Sequence, residues 1–484
     1  MSQMDGLIST ALMMALPKNC LDDTFKSFLV RRKHQGRLRR LTLQDPGVVD
    51  FSSNGYLSLS TNLDIKAAYI SHLQSSSDEF ALGSCGSRLL DGNTLLAEKL
   101  ESDIAAFHCA PAGLLFNSGF EANTGLFSCA PQPGDYVVYD ELIHASVHDG
   151  MKLSRARTIP FAHNCVHGVH TQVAPGSRPL ETVLDDLLQG KSGQEVRSGQ
   201  RNVFVAVESV YSMDGDAAPL KKIVECVERR LPRANGYIIV DEAHSTGWMG
   251  DRGRGLVCQL GLERRVWARV HTFGKAMGCA GGEFFDPTCQ IASKVLTASA
   301  IVLCTPTTRS YMINYARSLI YTTAMGYPML TAIQTVYGYL ISGQAARLHA
   351  NLLSRMQETH SLLLSICEKH HPPPQLFTIS TSPPQSPIIP LFSGQSRSLA
   401  RYCQQKGYMV RPIVAPTVPK GTDRVRLCLH AANTVAEVRG LCTAIEEWLE
   451  RQLARDSSSS SNGLQIPSSA ADLRVPSLAE ISKL

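Results

Sequence analysis

Short apolar runs rich in β-branched residues recur between Phe51 and about Ala300, and stretches with helical spacing separate them. Val203 to Val207 and Tyr237 to Val240 are two such runs. Runs too short for a helix and without polar alternation suit strands covered on both faces. Their alternation with helical stretches predicts an α/β fold, a mostly parallel sheet with helices on its faces. Leu114-Leu115-Phe116 predicts a further strand, followed by the small turn Ser118-Gly119-Phe120 and a helix from near Glu121. Past about Ile301 the pattern turns more helical, with strands expected near Ile388 to Phe392 and Val425 to Leu429. A smaller α+β domain is predicted there. The expected order is a helical, basic segment over 1–50, a large domain over 51–312, a small domain over 313–455 and a flexible tail over 456–484. Lys191 to Arg201 is polar and reads as a surface insertion, while His371 to Pro374 and Ser382 to Pro387 read as proline-rich loops.

Composition narrows the classes. A net charge of +5 over 484 residues is too mild and too spread to imply nucleic acid. The densest basic run is Arg31, Arg32, Lys33, Arg37, Arg39 and Arg40. It reads either as a solvated helix face or as an attractor for an anionic substrate such as a coenzyme A thioester. No apolar run reaches the roughly 18 residues that a bilayer crossing needs, so no membrane contact is expected. Ala11 to Leu16 is short and preceded by Asp5, which argues against a signal peptide. The 14 cysteines include no C-x-x-C pair, so neither a zinc site nor a disulfide framework is expected, and a reducing compartment fits best. The last three residues, Ser482-Lys483-Leu484, match the peroxisomal address. The serine run Ser457 to Ser461 and the prolines Pro467 and Pro476 predict a loose tether before it. Peroxisomal location, through an import receptor, is therefore expected.

The chemistry begins at Val240-Asp241-Glu242-Ala243-His244, where an apolar run ends in an acid. Ligands of open α/β sheets sit outside the carboxyl ends of the strands, which puts Asp241 at a ligand. A helicase reading of D-E-A-H needs a phosphate loop, and the motif fails because Arg269 stands where its first glycine belongs and Ala276 follows Lys275. Thr272-Phe273-Gly274-Lys275 lies where the next strand would end. An isolated lysine is usually a surface residue. A lysine and an aspartate at two strand tips are, however, what pyridoxal phosphate requires: an amine for a Schiff base and an acid that keeps the pyridine nitrogen protonated. The turn at Ser118 offers backbone N–H groups at a helix start for the phosphate.

These residues carry a family resemblance. The chain resembles the α-oxoamine synthases, which are fold-type I pyridoxal-phosphate transferases, and within them the biotin-pathway members. The matching blocks include FSSNGYLSLS (Phe51 to Ser60), LLFNSGFEAN (Leu114 to Asn123), DELIHAS (Asp140 to Ser146), FAHN (Phe161 to Asn164), VYSMDGDAAPL (Val210 to Leu220), VDEAHSTG (Val240 to Gly247), TFGKAMG (Thr272 to Gly278), LIYTTAM (Leu319 to Met325) and APTVPKGTDRVRL (Ala415 to Leu427). The resemblance spans about Arg31 to Glu450. It implies that Lys275 is the Schiff-base lysine, that Asp241 pairs with the pyridine nitrogen and that His144 stacks on the ring. His244 and Ser212 would bond the ring's phenolic oxygen. Ser118, Gly119, Phe120 and Thr272 would hold the phosphate and the ring's surroundings. Thr323 would reach the phosphate of a neighbouring subunit in a homodimer. Asn54 and Arg426 would bind the amino acid, Arg426 as a bidentate clamp on its carboxylate, and Glu208 would lie near the cofactor. His144 and His148 have helical spacing, yet no third ligand accompanies them, so no metal is expected.

The implied reaction joins an amino acid to an acyl-CoA with loss of CO₂. In the biotin-pathway members the pair is L-alanine and pimeloyl-CoA. Two positions depart from the family. Gly55-Tyr56-Leu57-Ser58 stands where D-Y-L-G is usual, and Val414 stands where some bacterial members carry an arginine suited to the far carboxylate of pimelate. Arg411, Arg39 or Arg40 is the candidate substitute. The alternative is a related synthase for another amino acid and a fatty acyl-CoA or polyketide thioester.

Overall fold

The computed structural model describes residues 20–39, 41, 47–75, 81–168, 177–279, 283–286, 289–294 and 299–460. The chain divides into two units, Met1–Val48 and Val49–Leu484. In the first, one helix, α1 (Cys20–His34), carries Asp22 and Asp23 in its first turn and Arg31, Arg32, Lys33 and His34 in its last. Both groups oppose the helix dipole. Arg39 follows, exposed; Arg40 lies outside the described residues.

The second unit is organised by a seven-stranded sheet. Its strands are β1 (Ala112–Phe116), β2 (Tyr136–Asp140), β3 (Arg157–Phe161), β4 (Val203–Glu208), β5 (Gly236–Asp241), β6 (Ala268–Thr272) and β7 (Ala300–Cys304). In space the order is β1-β7-β6-β5-β4-β2-β3. The pairings β3–β2, β2–β4, β4–β5 and β5–β6 are parallel, whereas β7 runs antiparallel to both β6 and β1. Every residue of β4, β6 and β7 is buried, Glu208 of β4 and Arg269, His271 and Thr272 of β6 included, as expected of strands covered on both sides. Two helices, α2 (Gly119–Cys129) and α3 (Ala145–Ser154), pack closely beside the sheet. A Cβ at Gly150 would lie 2.7 Å from the Phe127 Cβ, so only glycine allows that approach.

A second sheet, antiparallel, has the order β8 (Ile388–Phe392), β10 (Arg424–Cys428), β9 (Arg411–Ile413). The segment from Val49 to Tyr56 is stitched to this region. Val49–Asp50 pairs with Tyr408–Met409, Cys428 N donates to Phe51 O at 2.9 Å, and Ala431 N donates to Tyr56 O at 2.7 Å. That stitching carries Asn54 and Tyr56 to the strand that holds Arg426.

Three expectations change. Lys191 to Arg201 lies mostly at the surface, yet it is not irregular: Gly190–Arg197 forms a helix with Val196 buried, and the Asn235 amide donates to the carbonyls of Val196 and Arg201 at 2.8 and 2.7 Å. A single apolar residue in a polar run hid it. The strand expected from Val425 begins at Arg424, and its two arginines reach across the fold, Arg424 to Asp214 and Arg426 to Asn54. The last helix, Val435–Ser460, extends into the first residues of the expected tail. Residues 461–484, including Ser482-Lys483-Leu484, lie outside the described residues.

Candidate active site

The carboxyl ends of β1, β2, β4, β5 and β6 deliver Asn117 and Ser118, His144, Glu208 to Ser212, Asp241 and Lys275 to one edge of the sheet. Parallel strands force this convergence, since their carboxyl ends all lie on the same side. Glu208 and Asp241 are direct neighbours in the β4–β5 register. Burial pushes the Lys275 amine below its usual range and Arg426 reinforces this, while Asp241 and Glu208 oppose it. Among the described residues no side chain hydrogen-bonds that amine. Glu208 is driven strongly upward by burial and by Asp241 and Asp140, with Lys275 opposing.

Asp241 is buried, and both its oxygens accept hydrogen bonds, Oδ2 from Asn123 Nδ2 at 2.7 Å and Oδ1 from Ala243 N at 2.9 Å. The same Asn123 amide donates to Ser146 Oγ at 3.0 Å, and Ser146 Oγ lies 2.7 Å from His144 Nδ1. His144 Nδ1 also accepts from Ser146 N at 3.2 Å, which leaves Nε2 as the ring's protonated nitrogen. Burial lowers the His144 pKa, Lys275 adds to the effect and Asp241 works against it. A neutral, oriented imidazole results. Asn123 and Ser146 were not assigned from the sequence, although both close a matching block; their polar type inside helices that otherwise bury apolar residues was the available signal.

The strand, turn and helix start expected around Ser118 are present, and they make up the anion turn proposed for the phosphate. Ser118 caps α2, its Oγ accepting from Glu121 N at 3.0 Å. The N–H groups of Gly119 and Phe120, the first two of the helix, have no intrahelical acceptor. Beside them Thr272 Oγ1 is buried without a partner. A Cβ on Gly119 would lie 2.5 Å from Thr272 Cγ2, so the absence of a side chain there keeps the hollow open. Phe120 is exposed. Thr323 is exposed too, with its carbonyl accepting from Asn117 Nδ2 at 2.7 Å.

The substrate residues meet on the other side. Arg426 is buried, its Nη2 donating to Asn54 Oδ1 at 2.8 Å and to the Tyr56 hydroxyl at 3.4 Å, and its Nε to Ser212 O. Tyr56 shares a 2.8 Å hydrogen bond with His244 Nδ1. Burial holds His244 far below its usual pKa, with Lys275, Arg426 and His144 adding to the effect. Ser212 thus enters through its carbonyl, gripping Arg426, in addition to the hydroxyl expected to serve the cofactor. Tyr56 is the further residue that the sequence reading left without a role. Arg411 is exposed and Val414 half-buried. Arg39 belongs to the first unit. His148 packs edge-on against Tyr139 at 5.1 Å.

A model of the class I and II aminotransferases matches residues 46–445. The chain belongs to that family. The 8-amino-7-oxononanoate synthase of Emericella nidulans is 48% identical over 434 residues, covering 89% of this chain and 97% of the relative. The aminoacyl transferase sphA of Byssochlamys spectabilis is 34% identical, covering 88% and 86% respectively. A serine palmitoyltransferase variant from S. paucimobilis, solved with bound pyridoxal phosphate and myriocin, superposes with a TM-score of 0.71 at 21% identity, covering 91% of this chain and 100% of that one. The protein is a fold-type I enzyme whose cofactor is pyridoxal phosphate. The residues fit that group. The hollow at Gly119 and the orphaned Thr272 hydroxyl suit its phosphate, the acceptor Asp241 its ring nitrogen, and the unpaired Lys275 amine its aldehyde.

Proposed function

We propose that the protein condenses L-alanine with pimeloyl-CoA, releasing coenzyme A and CO₂ and forming 8-amino-7-oxononanoate in biotin synthesis. The observation that carries this reading is the 48% identity to the Emericella nidulans synthase along 97% of its length, with Lys275, Asp241 and His144 at one edge of the large sheet and Arg426 on the second sheet. Pyridoxal phosphate, when bound, supplies an electron sink for negative charge at the amino acid's α-carbon. The chain's own residues do the rest. Asp241, fixed by Asn123, holds the ring nitrogen's proton. His144, kept neutral, covers a ring face without adding charge. Arg426 and Asn54 hold the amino acid's carboxylate until it leaves as CO₂. Lys275 Nζ, lowered in pKa by burial, is suited to take the α-proton. Arg39, Arg40 and Arg411 are the candidates to meet the donor's far carboxylate.

A second reading is favoured by Val414, an apolar residue where that carboxylate would otherwise find an arginine, and by the 34% identity to aminoacyl transferase sphA. It assigns a donor without a far carboxylate, a fatty acyl or polyketide thioester. Coenzyme A release from pimeloyl-, palmitoyl- and acetyl-CoA, each with L-alanine, L-serine and glycine, separates the two. Preference for L-alanine with pimeloyl-CoA is expected, and preference for palmitoyl-CoA defeats the first reading.

The active unit is proposed to be a homodimer. Exposed Leu82, Leu90 and Tyr321 support it, on two segments tied by Ala324 N to Gly86 O at 2.8 Å and by the Ser87–Thr323 bridge. Exposed apolar side chains on joined segments favour association. Peroxisomal import through Ser482-Lys483-Leu484 is proposed from the sequence; removing those residues is expected to leave the enzyme in the cytosol.

A further inference from the structure

His163 lies outside the roles assigned above, yet it sits between two carboxylates near the site. Its Nδ1 is 2.9 Å from Asp140 Oδ1 and its Nε2 is 2.9 Å from Asp216 Oδ2. Both ring nitrogens therefore face carboxylate oxygens, an arrangement that suits the doubly protonated ring, with the Asn164 amide nitrogen also 3.3 Å from Nε2. The ring stands edge-on to Tyr211 with centroids 4.4 Å apart. Glu141 faces the residue only through Oε1, which accepts the His163 backbone N–H at 3.1 Å. Asn164, at φ 52, closes the niche: its N donates to Asp140 Oδ2 at 2.8 Å and its Nδ2 to Asp216 Oδ2 at 2.6 Å. The two flanking carboxylates push the His163 pKa up to about 10 against the pull of burial.

Asp140 ends β2, a rigid strand. Asp216 belongs to the turn over residues 209–217, closed by Tyr211 N to Asp216 O at 3.0 Å and by the Val210–Ala217 bridge. That turn carries Ser212, whose carbonyl receives Arg426 Nε, and Asp214, which pairs with Arg424. Its far side is tied to the second sheet through Ser386 Oγ donating to Gly215 O at 2.7 Å. A charged ring bracing the turn against β2 thus acts on both arginines of β10.

We propose that His163 is a positioning residue: its imidazolium, braced between Asp140 and Asp216, fixes the 209–217 turn and thereby the aim of Arg426 at the amino-acid carboxylate. This rests on the reading that Arg426 is the carboxylate clamp. The test uses the holoenzyme and two variants, His163→Gln and Asp216→Asn. Amide exchange over 209–217 is expected to quicken in H163Q by about tenfold or more, the loss of a charge-assisted contact. Titration with L-alanine, L-serine and glycine, followed by the cofactor's absorbance, is expected to show weaker binding by a similar factor. KM for the acyl-CoA is expected to stay near the original value. In D216N the ring keeps one carboxylate, so the ratio of its amino-acid KM to that of the unaltered enzyme is expected to climb from pH 7 to 9. Unchanged exchange over 209–217 in H163Q, or a flat KM ratio in D216N, overturns the proposal. If the unaltered enzyme binds none of the three amino acids, the functional reading fails, while the exchange measurement still decides whether His163 braces the turn.

Discussion

Gly119→Ala tests the anion turn with a single methyl group. The new Cβ would lie 2.5 Å from Thr272 Cγ2, against the roughly 3.5–4.0 Å of an ordinary carbon contact. Relief requires either a shift of about 1 Å between α2 and β6 or rotation of Thr272, which carries its free Oγ1 away from the hollow. Overpacking of this kind costs about 1–3 kcal/mol. Alanine in place of glycine returns at most about 1 kcal/mol in the helix, so the apoenzyme is expected to lose little stability. If the strain is concentrated in the hollow, cofactor affinity falls by about 5- to 150-fold. Titration of apoenzyme with pyridoxal phosphate, with thermal unfolding of the apoenzyme alongside, separates the two effects. Thr272→Ser sharpens the test because it deletes the obstructing methyl and keeps the hydroxyl, so the double variant is expected to bind nearly as well as T272S alone. A G119A enzyme within twofold of the original affinity, or a double variant no better than G119A, refutes the geometry.

Lys275→Ala is expected to bind the cofactor without a borohydride-trappable link and to lose activity by roughly 10²–10⁴-fold or more; a retained covalent adduct assigns the link elsewhere. Asn123→Ala removes the donor shared by Asp241 and Ser146, a loss of about 1.5–3 kcal/mol that turnover is expected to register as a drop of about 10- to 150-fold, and unchanged turnover counts against the relay to His144. The raised pKa of His163 sets a stability window. Its contribution is complete below the unfolded value near 6.5 and is lost as pH rises through about 10. The melting temperature of the original enzyme is therefore expected to fall between pH 8 and 10 more steeply than that of H163Q, and parallel curves contradict the charged ring.

Much of the site was legible because its chemistry sits at strand ends. Asp241 and Ser118 each follow an apolar run, so the sheet's periodicity places them before any geometry is known, and Lys275 lies one strand further on. Phe116 and Phe273 mark where burial stops, and the polar residues just beyond them face the ligand. The relay was harder to read. Asn123 and Ser146 lie inside helices, where an amide or hydroxyl more often points to solvent, and only the packing of α2 on α3 turns them toward Asp241 and His144. The double role of Ser212 was hidden for a different reason. A carbonyl is common to every residue, so its grip on Arg426 depends on the path of the turn. Tyr56 is similar: an aromatic in an apolar stretch reads as core, and it is wholly buried, yet its hydroxyl joins His244 to the arginine clamp. The buried Val196 shows the converse, one apolar anchor lost in a polar run.

The reversed strand β7 also shapes how the lysine is anchored. The chain leaves the sheet after Thr272 and re-enters at Ser299 on the same rim, where Phe273 N meets Ser299 O at 2.8 Å. Departure and return are thus fastened to each other beside Lys275. A parallel strand there would have demanded a crossing to the opposite rim, fixing the length of whatever lay between. Here the intervening residues answer to no such span. The strand order and the lysine's anchorage therefore rest on the flanking strands and on the Phe273–Ser299 tie, with no crossing to the opposite rim to maintain.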